Sequence, residues 1–133
     1  MSPTAMSRTT MRRLGAIQWL GLFLGAGAWG AQHVIGWGIS QAECYAGGAS
    51  FEIGNDVWQG ALLGAAGLCV LIAEAAAIFV VLATRGTRYA EDPPPPSRIR
   101  FFAISALLAN ALFLMIMLLD GFASIYDVLC RQS

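Results

Sequence analysis

Apolar residues in this chain are gathered into three long blocks, separated by polar segments. The blocks cover residues 14–39, 60–84 and 101–123. Each is long enough to cross the hydrocarbon core of a bilayer, which takes about 20 helical residues. A soluble helix of this length would show a polar stripe every three or four residues, and these blocks do not. The pattern therefore predicts an all-α membrane protein with three transmembrane helices.

The two segments between the blocks differ in character. Residues 40–59 form the predicted outer loop, which is rich in glycine and acidic residues. Residues 85–100 form the predicted inner loop, which contains four consecutive prolines at 93–96. A proline run is typical of a stiff polyproline spacer rather than a helix. We expect the whole chain, 1–133, to be one domain.

The arginines predict how the chain is oriented in the membrane. Seven of the eight lie before the first block or between the second and the third: Arg8, Arg12, Arg13, Arg85, Arg88, Arg98 and Arg100. The segment 40–59 has no arginine. Basic residues concentrate on the cytoplasmic side of membrane proteins. The N-terminus is therefore predicted inside and the C-terminus outside.

Composition agrees with a lipid environment. The chain is 57% hydrophobic and 12% charged, whereas a soluble domain carries about 25% charged residues. The formal net charge is zero and there is no basic face for a nucleic acid. The first block could instead be a signal peptide cleaved near 26–28. Its apolar run continues to Ile39, which favours a retained helix.

Two polar residues are expected at the same depth in the middle of the membrane. Glu74 lies ten residues before Thr84, and Asn110 lies ten residues after Arg100. Both are therefore roughly 15 Å from the inner boundary, and we predict a hydrogen bond between them, with the carboxyl protonated. Two interpretations of Glu74 stay open. It is a proton-relay carboxyl or a clip onto a partner subunit, or else a neutral group bonded within the bundle.

His33 and Asp120 are expected to meet near the outer boundary, since each lies about twenty residues from the inner end of its helix. Asp120 could orient the imidazole or stabilise its charged form. His33 could serve as a metal ligand, a haem ligand or a proton group. Zinc and copper sites want three or four ligands, and haem in a bundle normally wants two. A structural or interfacial role for His33 is therefore favoured.

Small residues four apart predict close contact between helices. Gly21 and Gly25 have this spacing in the first block, and Gly60 and Gly64 have it in the second. Such pairs let two helix backbones approach closely within a membrane. The third block lacks glycine until Gly121, so we expect its surface to face lipid or a larger partner.

The cysteines suggest one disulfide. Cys44 and Cys130 each follow a helix on the predicted outer side, where disulfides form. A bridge between them would tie the outer loop to the C-terminal tail. The alternative is that each is a free thiol or bonds a partner chain. Cys69 lies inside the second block and is interpreted as a small buried apolar residue.

Three segments resemble a known group of proteins. They are residues 29–44 (WGAQHVIGWGISQAEC), 54–59 (GNDVWQ) and 98–102 (RIRFF). The chain resembles small membrane accessory subunits associated with haem-copper oxidases or related respiratory complexes. The resemblance implies a structural neighbour of a redox complex, with haem and copper held by the partner subunits and no cofactor on this chain.

The sequence predicts a protein without catalytic activity of its own. It contains no phosphate-binding loop, nucleophile elbow or metalloprotease helix. We expect a non-catalytic accessory subunit of a bacterial inner-membrane respiratory complex. It would pack on a catalytic subunit among lipids and cover part of the periplasmic face, near where a cytochrome c docks.

Two other functions stay open. The first is a small homo-oligomeric proton-coupled transporter or channel in which Glu74 lines the path. The second is an assembly factor for metal or haem delivery. The soft ligands it would need, His33, Met115 and Met117, are too scattered to make a good site.

Overall fold

The computed structural model describes residues 7–44, 54–86 and 96–125. These residues form three α-helices: α1 (Arg8–Cys44), α2 (Asn55–Ala83) and α3 (Pro96–Ile125). Each helix is long and apolar enough to cross a membrane, over the spans Arg8–Ala42, Asp56–Ala83 and Pro96–Gly121. The predicted all-helical class and the three candidate crossings are therefore confirmed.

Contacts between the helices show that consecutive helices run antiparallel. Leu14 near the start of α1 packs in one cluster with Val80 near the end of α2 and Ile99 near the start of α3. A second cluster, further along α1, joins Trp29 to Val70 of α2 and Met117 of α3. We call the first end the arginine end, since it holds Arg8, Arg85 and Arg98. The opposite end is the His33 end.

The helices extend beyond the apolar blocks because polar residues continue them at both ends. Helix α1 begins at Arg8 rather than at residue 14, since Ser7 caps it: the Ser7 Oγ accepts a hydrogen bond from the Thr10 N–H at 3.2 Å. The prediction of a loop over 40–59 was wrong at its edges. Ser40 belongs to α1 and Gln59 belongs to α2.

The non-helical spacer predicted from the proline run was also too long by at least one residue. Pro96 was assigned to a non-helical spacer, but it is the first residue of α3. Proline is tolerated in the first helical turn because its missing N–H would have no partner there in any case. The prolines at 93–95 lie outside the described residues.

The inward face of α1 is made largely of polar and small residues. The buried positions among residues 7–42 are Leu14, Gln18, Gly21, Gly25, Gln32, Gly36 and Ser40. Large apolar side chains of the same helix, such as Phe23 and Trp37, are more than half exposed. This distribution suits a helix in lipid, where apolar side chains lose nothing by facing outward and polar groups need partners inside.

Gly21 and Gly25, the packed pair, let α1 approach its neighbours closely. A methyl group on Gly21 would come within 3.2 Å of the Ala73 carbonyl oxygen and 3.3 Å of the Ala77 amide nitrogen of α2. A methyl group on Gly25 would collide with the Asn110 Oδ1 of α3. The packed pair therefore touches both other helices at the centre of the bundle.

Gly60 and Gly64, the open pair, do not pack within the chain. Both are exposed, and a methyl group on either would meet no atom within 4 Å among the described residues. Their assignment to helix packing was therefore wrong for contacts inside this bundle. The buried face of α2 runs through Val70, Ala73 and Ala77, and the open pair lies on the opposite side of the helix.

Helix α3 packs more tightly than its composition suggested. Its Asn110 lies against α1, and its Gly121 is in close contact with the Leu63 side chain of α2. At the arginine end, the Arg100 guanidinium donates to the Thr84 carbonyl at 2.6 Å. That bond supplies a partner for a carbonyl just beyond the C-terminus of α2 and places a positive charge where the helix dipole is negative.

Candidate functional site

His33 of α1 and Asp120 of α3 meet at the His33 end. The distance from His33 Nδ1 to Asp120 Oδ2 is 3.2 Å, with the side chains 54% and 35% exposed. The imidazole also stacks on Trp29, with ring centroids 5.8 Å apart. Trp29 in turn stacks on Phe113 of α3 at 5.2 Å. The ring of His33 is therefore held by a carboxylate on one nitrogen and by an aromatic surface on one face.

These two side chains line part of a polar cleft between the helices. The cleft has a volume of about 120 Å³ and is lined by Gln32, His33, Gly36, Trp37, Ser40, Gln59 and Asp120. All three helices contribute to it, and five of the seven described lining residues come from α1. A cleft of this size holds a small polar group rather than a whole cofactor.

Gln59 fixes the wall of the cleft that α2 provides. Its Nε2 donates to the Gly36 carbonyl at 2.8 Å and to the Ser40 Oγ at 2.9 Å. Gly36 makes room for this side chain, because a methyl group at that position would lie 2.8 Å from the Gln59 Oε1 and would displace the end of the glutamine. Both hydrogens of the Gln59 amide are thus engaged in joining α1 to α2.

Gln32 is a cleft residue that the sequence analysis missed. The residue is 4% exposed, and its Oε1 has no hydrogen-bond partner within the described part of the chain. The sequence does contain an indication that Gln32 faces inward. Gln32, Gly36 and Ser40 are spaced four apart and therefore share one helix face. A glutamine on the same face as glycine and serine, in a lipid-embedded helix, is expected to point inward.

Glu74 and Asn110 lie in the middle of the bundle, away from the cleft. The Glu74 carboxyl lies beside the Asn110 side chain. The Asn110 Nδ2 also donates to the Gly21 carbonyl at 3.0 Å. The Glu74 Oε2 and the Asn110 Oδ1 are buried and have no hydrogen-bond partner among the described residues. The structure brings the two side chains together, and both the hydrogen bond between them and the protonation of Glu74 stay predictions.

The remaining candidate residues add little to this site. Cys130 and the side chain of Cys44 lie outside the described residues, so their bridge stays a prediction. Cys69 is a free, half-buried thiol in α2. Across residues 7–44, 54–86 and 96–125, no group of three or more His, Cys, Asp or Glu side chains converges on a common point.

Comparison of the chain with models of protein families, with curated proteins and with solved structures finds no match.

Proposed function

We propose that this chain is a non-catalytic accessory subunit of a bacterial inner-membrane respiratory complex. The observation that carries the proposal is the open pair on α2: Gly60 and Gly64 are exposed, and a methyl group on either would meet no atom of the described residues within 4 Å. Gly67, one turn further on, is equally open to a methyl group. Together these three positions form the open glycine face.

An open glycine face is suited to a protein partner rather than to lipid. Glycine costs about 1 kcal/mol relative to alanine in a helix interior, and lipid chains gain nothing from its small size. A second helix does gain, because its backbone can approach closely and form more van der Waals contacts. The packed pair shows this mode of contact inside the same chain, where Gly21 lies against the Ala73 and Ala77 backbone.

The extent of uncovered surface also supports a larger assembly. Within the most apolar window of each span, only 22, 28 and 22% of the residues are buried inside the chain. Three helices of this length leave most of their surface to lipid or to other subunits. Packing on a catalytic subunit would cover part of it.

The respiratory part of the proposal rests on the resemblance of residues 29–44, 54–59 and 98–102 to accessory subunits of such complexes. In this proposal haem and copper belong to the partner subunits, and the chain contributes packing and a surface. In this proposal the arginine end lies in the cytoplasm, because basic residues concentrate on that side of membrane proteins. The His33 end then faces the periplasm, on the side where a cytochrome c would dock.

Purification of the tagged chain from native membranes in mild detergent tests the proposal. We expect a set of larger subunits and a haem absorption spectrum to accompany it. The variant Gly64→Leu should lose both, because the added side chain separates the open glycine face from its partner. The control Ala111→Leu adds bulk at an exposed position of α3 and should keep them.

Two outcomes of this purification would contradict the proposal. If the wild-type chain is recovered as a monodisperse, haem-free species without partners, the accessory role is wrong. If Gly64→Leu and Ala111→Leu copurify with the complex to the same extent, the open glycine face is not the contact surface.

A further inference from the structure

We propose that the surface where α1 meets α3 at the arginine end binds an anionic phospholipid. Arginines of the two helices would hold the phosphate, and a row of aromatic rings further along would hold the acyl chains. Neither helix carries the open glycine face, so the lipid site does not depend on the accessory function.

Four aromatic side chains form a continuous row on the outside of α1 and α3. We call the row the aromatic wall: Trp19, Phe23, Phe101 and Phe102. Trp19 stacks on Phe23 of the same helix with ring centroids 5.4 Å apart, and it meets Phe102 of α3 at 5.6 Å. Phe102 in turn meets Phe101 edge to face at 5.6 Å. Trp19, Phe23 and Phe101 are 45, 63 and 58% exposed, so the wall joins the two helices and faces outward.

Two arginines of α1 lie on the same helix face as the rings. The intervals along Arg8, Arg12, Trp19 and Phe23 are four, seven and four residues, which keeps these positions within about 60° around the helix axis. Both arginines are exposed. Trp19 lies seven residues beyond Arg12, so the rings begin roughly 10 Å deeper in the membrane than the charge.

Arg98 provides the same arrangement on α3. It is exposed and precedes the two phenylalanines of the wall by three and four residues, so both rings follow its charge by one turn. Its neighbour Ile99 packs in one cluster with Leu14 of α1. Arg12 and Arg98 therefore lie at nearly the same depth, close to the start of their helices.

The charge of this end is positive even when the residues outside the described ranges are counted. Residues 1–13 and 84–100, which lead into α1 and link α2 to α3, contain seven arginines and two acidic residues, Glu91 and Asp92. Seven positive charges less two negative ones leave a formal charge of +5. Arginine binds phosphate oxygens through two parallel N–H bonds. An anionic headgroup is therefore attracted, whereas the ammonium of a choline headgroup is repelled.

The distribution of charge along the surface favours a lipid over other anions. No charged residue occurs in the sequence between Arg13 and His33 of α1 or between Arg100 and Asp120 of α3. A soluble anion or an acidic peptide would use the arginines but not the apolar surface beyond them. A phospholipid uses both, because its phosphate lies at the membrane boundary and its chains lie in the hydrocarbon core.

Native mass spectrometry of the full chain, released from detergent, tests the proposal. The probes are a phosphatidylglycerol and a phosphatidylcholine with the same acyl chains. We expect one saturable adduct of phosphatidylglycerol, bound at least about tenfold more tightly than phosphatidylcholine. Arg98→Gln should lower the affinity for phosphatidylglycerol by about fivefold, which is the contribution of one arginine near a membrane surface.

The matched control is Arg85→Gln. Arg85 is an exposed arginine at the same end, but it follows α2 and lies on neither helix of the wall. This variant removes the same charge and should lower the affinity by less than about twofold. Trp19→Leu tests the wall itself and should weaken binding by about threefold. Its control is Trp58→Leu, at the opposite end, which should leave binding unchanged.

Three outcomes would overturn the proposal. Equal losses in Arg98→Gln and Arg85→Gln would mean that the charged end attracts anions diffusely and holds no site. Unchanged affinity in Trp19→Leu would mean that the wall does not contact the lipid. Equal affinities of the wild-type chain for the two lipids would leave the wall to a protein partner. Copurification of larger subunits is measured separately, so none of these results decides the accessory function.

Discussion

The packed pair on α1 and the open pair on α2 have the same residues and the same spacing, yet they lie in opposite environments. Gly21 and Gly25 are buried against two helices, whereas Gly60 and Gly64 are exposed and a methyl group on either would meet nothing within 4 Å in the described bundle. The difference comes from the angle at which each pair projects from its helix. Small-residue spacing indicates a surface that can be approached closely, and the partner is decided by which face the rest of the helix turns inward.

Within the packed pair, a side chain added at each glycine would meet a different kind of obstacle. A side chain at Gly21 would meet backbone atoms of Ala73 and Ala77, which cannot move without shifting a helix. A side chain at Gly25 would meet the end of the Asn110 side chain, which can rotate. The two packed glycines should therefore respond differently to the same substitution.

The largest effect is expected for Gly21→Leu. The new side chain cannot be placed unless α1 and α2 move apart, so we expect a loss of about 3 kcal/mol in the free energy of unfolding. Reversible unfolding in mixed detergent micelles measures it. Gly64→Leu is the matched control and should change the stability by less than about 0.5 kcal/mol. Similar losses for the two variants would abolish the distinction between the pairs.

An intermediate effect is expected for Gly25→Ala. The methyl group should displace the Asn110 side chain and break its 3.0 Å hydrogen bond to the Gly21 carbonyl, at a cost of about 1–2 kcal/mol. Asn110→Ala should cost a similar amount. The double variant should cost much less than the two together, because the obstacle and the lost bond are the same group. Strict additivity would show that Asn110 is not what requires glycine at position 25.

A smaller effect is expected for Gly121→Ala. The new methyl group would meet the end of the Leu63 side chain, which is flexible and only half-buried. We expect a loss of less than about 1 kcal/mol, measured by the same unfolding transition. A loss as large as that of Gly21→Leu would show that Leu63 is held as rigidly as a helix backbone.

The smallest effect on stability is expected for Glu74→Gln. The amide keeps an acceptor for Asn110 and adds a donor, so the stability should change by less than about 0.5 kcal/mol. Copurification with the proposed complex should also be unchanged. Loss of a proton flux in vesicles containing the chain would instead favour the transporter, with Glu74 on its path.

Several contacts could be predicted because helices rise by a constant amount per residue. Counting along antiparallel helices placed His33 at the depth of Asp120 and Glu74 at the depth of Asn110. The structure has both pairs in contact. Depth follows from residue number alone, about 1.5 Å for each step, so it can be obtained without knowing how the helices are rotated.

Rotation could not be predicted in the same way. Nothing in the spacing of Gly60 and Gly64 shows that α2 turns Val70, Ala73 and Ala77 inward instead. Gln32 was overlooked because one amide in an apolar run gives a weak signal until Gly36 and Ser40 are placed on the same face. Helix ends were misjudged where polar residues continue a helix past its apolar part, as at Ser40 and Gln59.

The inward face of α1 has a consequence for how the protein enters the membrane. Its most apolar 18-residue window has a mean hydropathy of 1.2, against 2.5 for the windows of both other spans, and Gln18, Gln32 and Ser40 occupy buried positions of the helix. Transfer of α1 into lipid alone would expose these groups to hydrocarbon and would leave Ser40 without the Gln59 amide that bonds it in the bundle. Although α1 is synthesised first, its stable residence in the bilayer therefore depends on the arrival of α2 and α3.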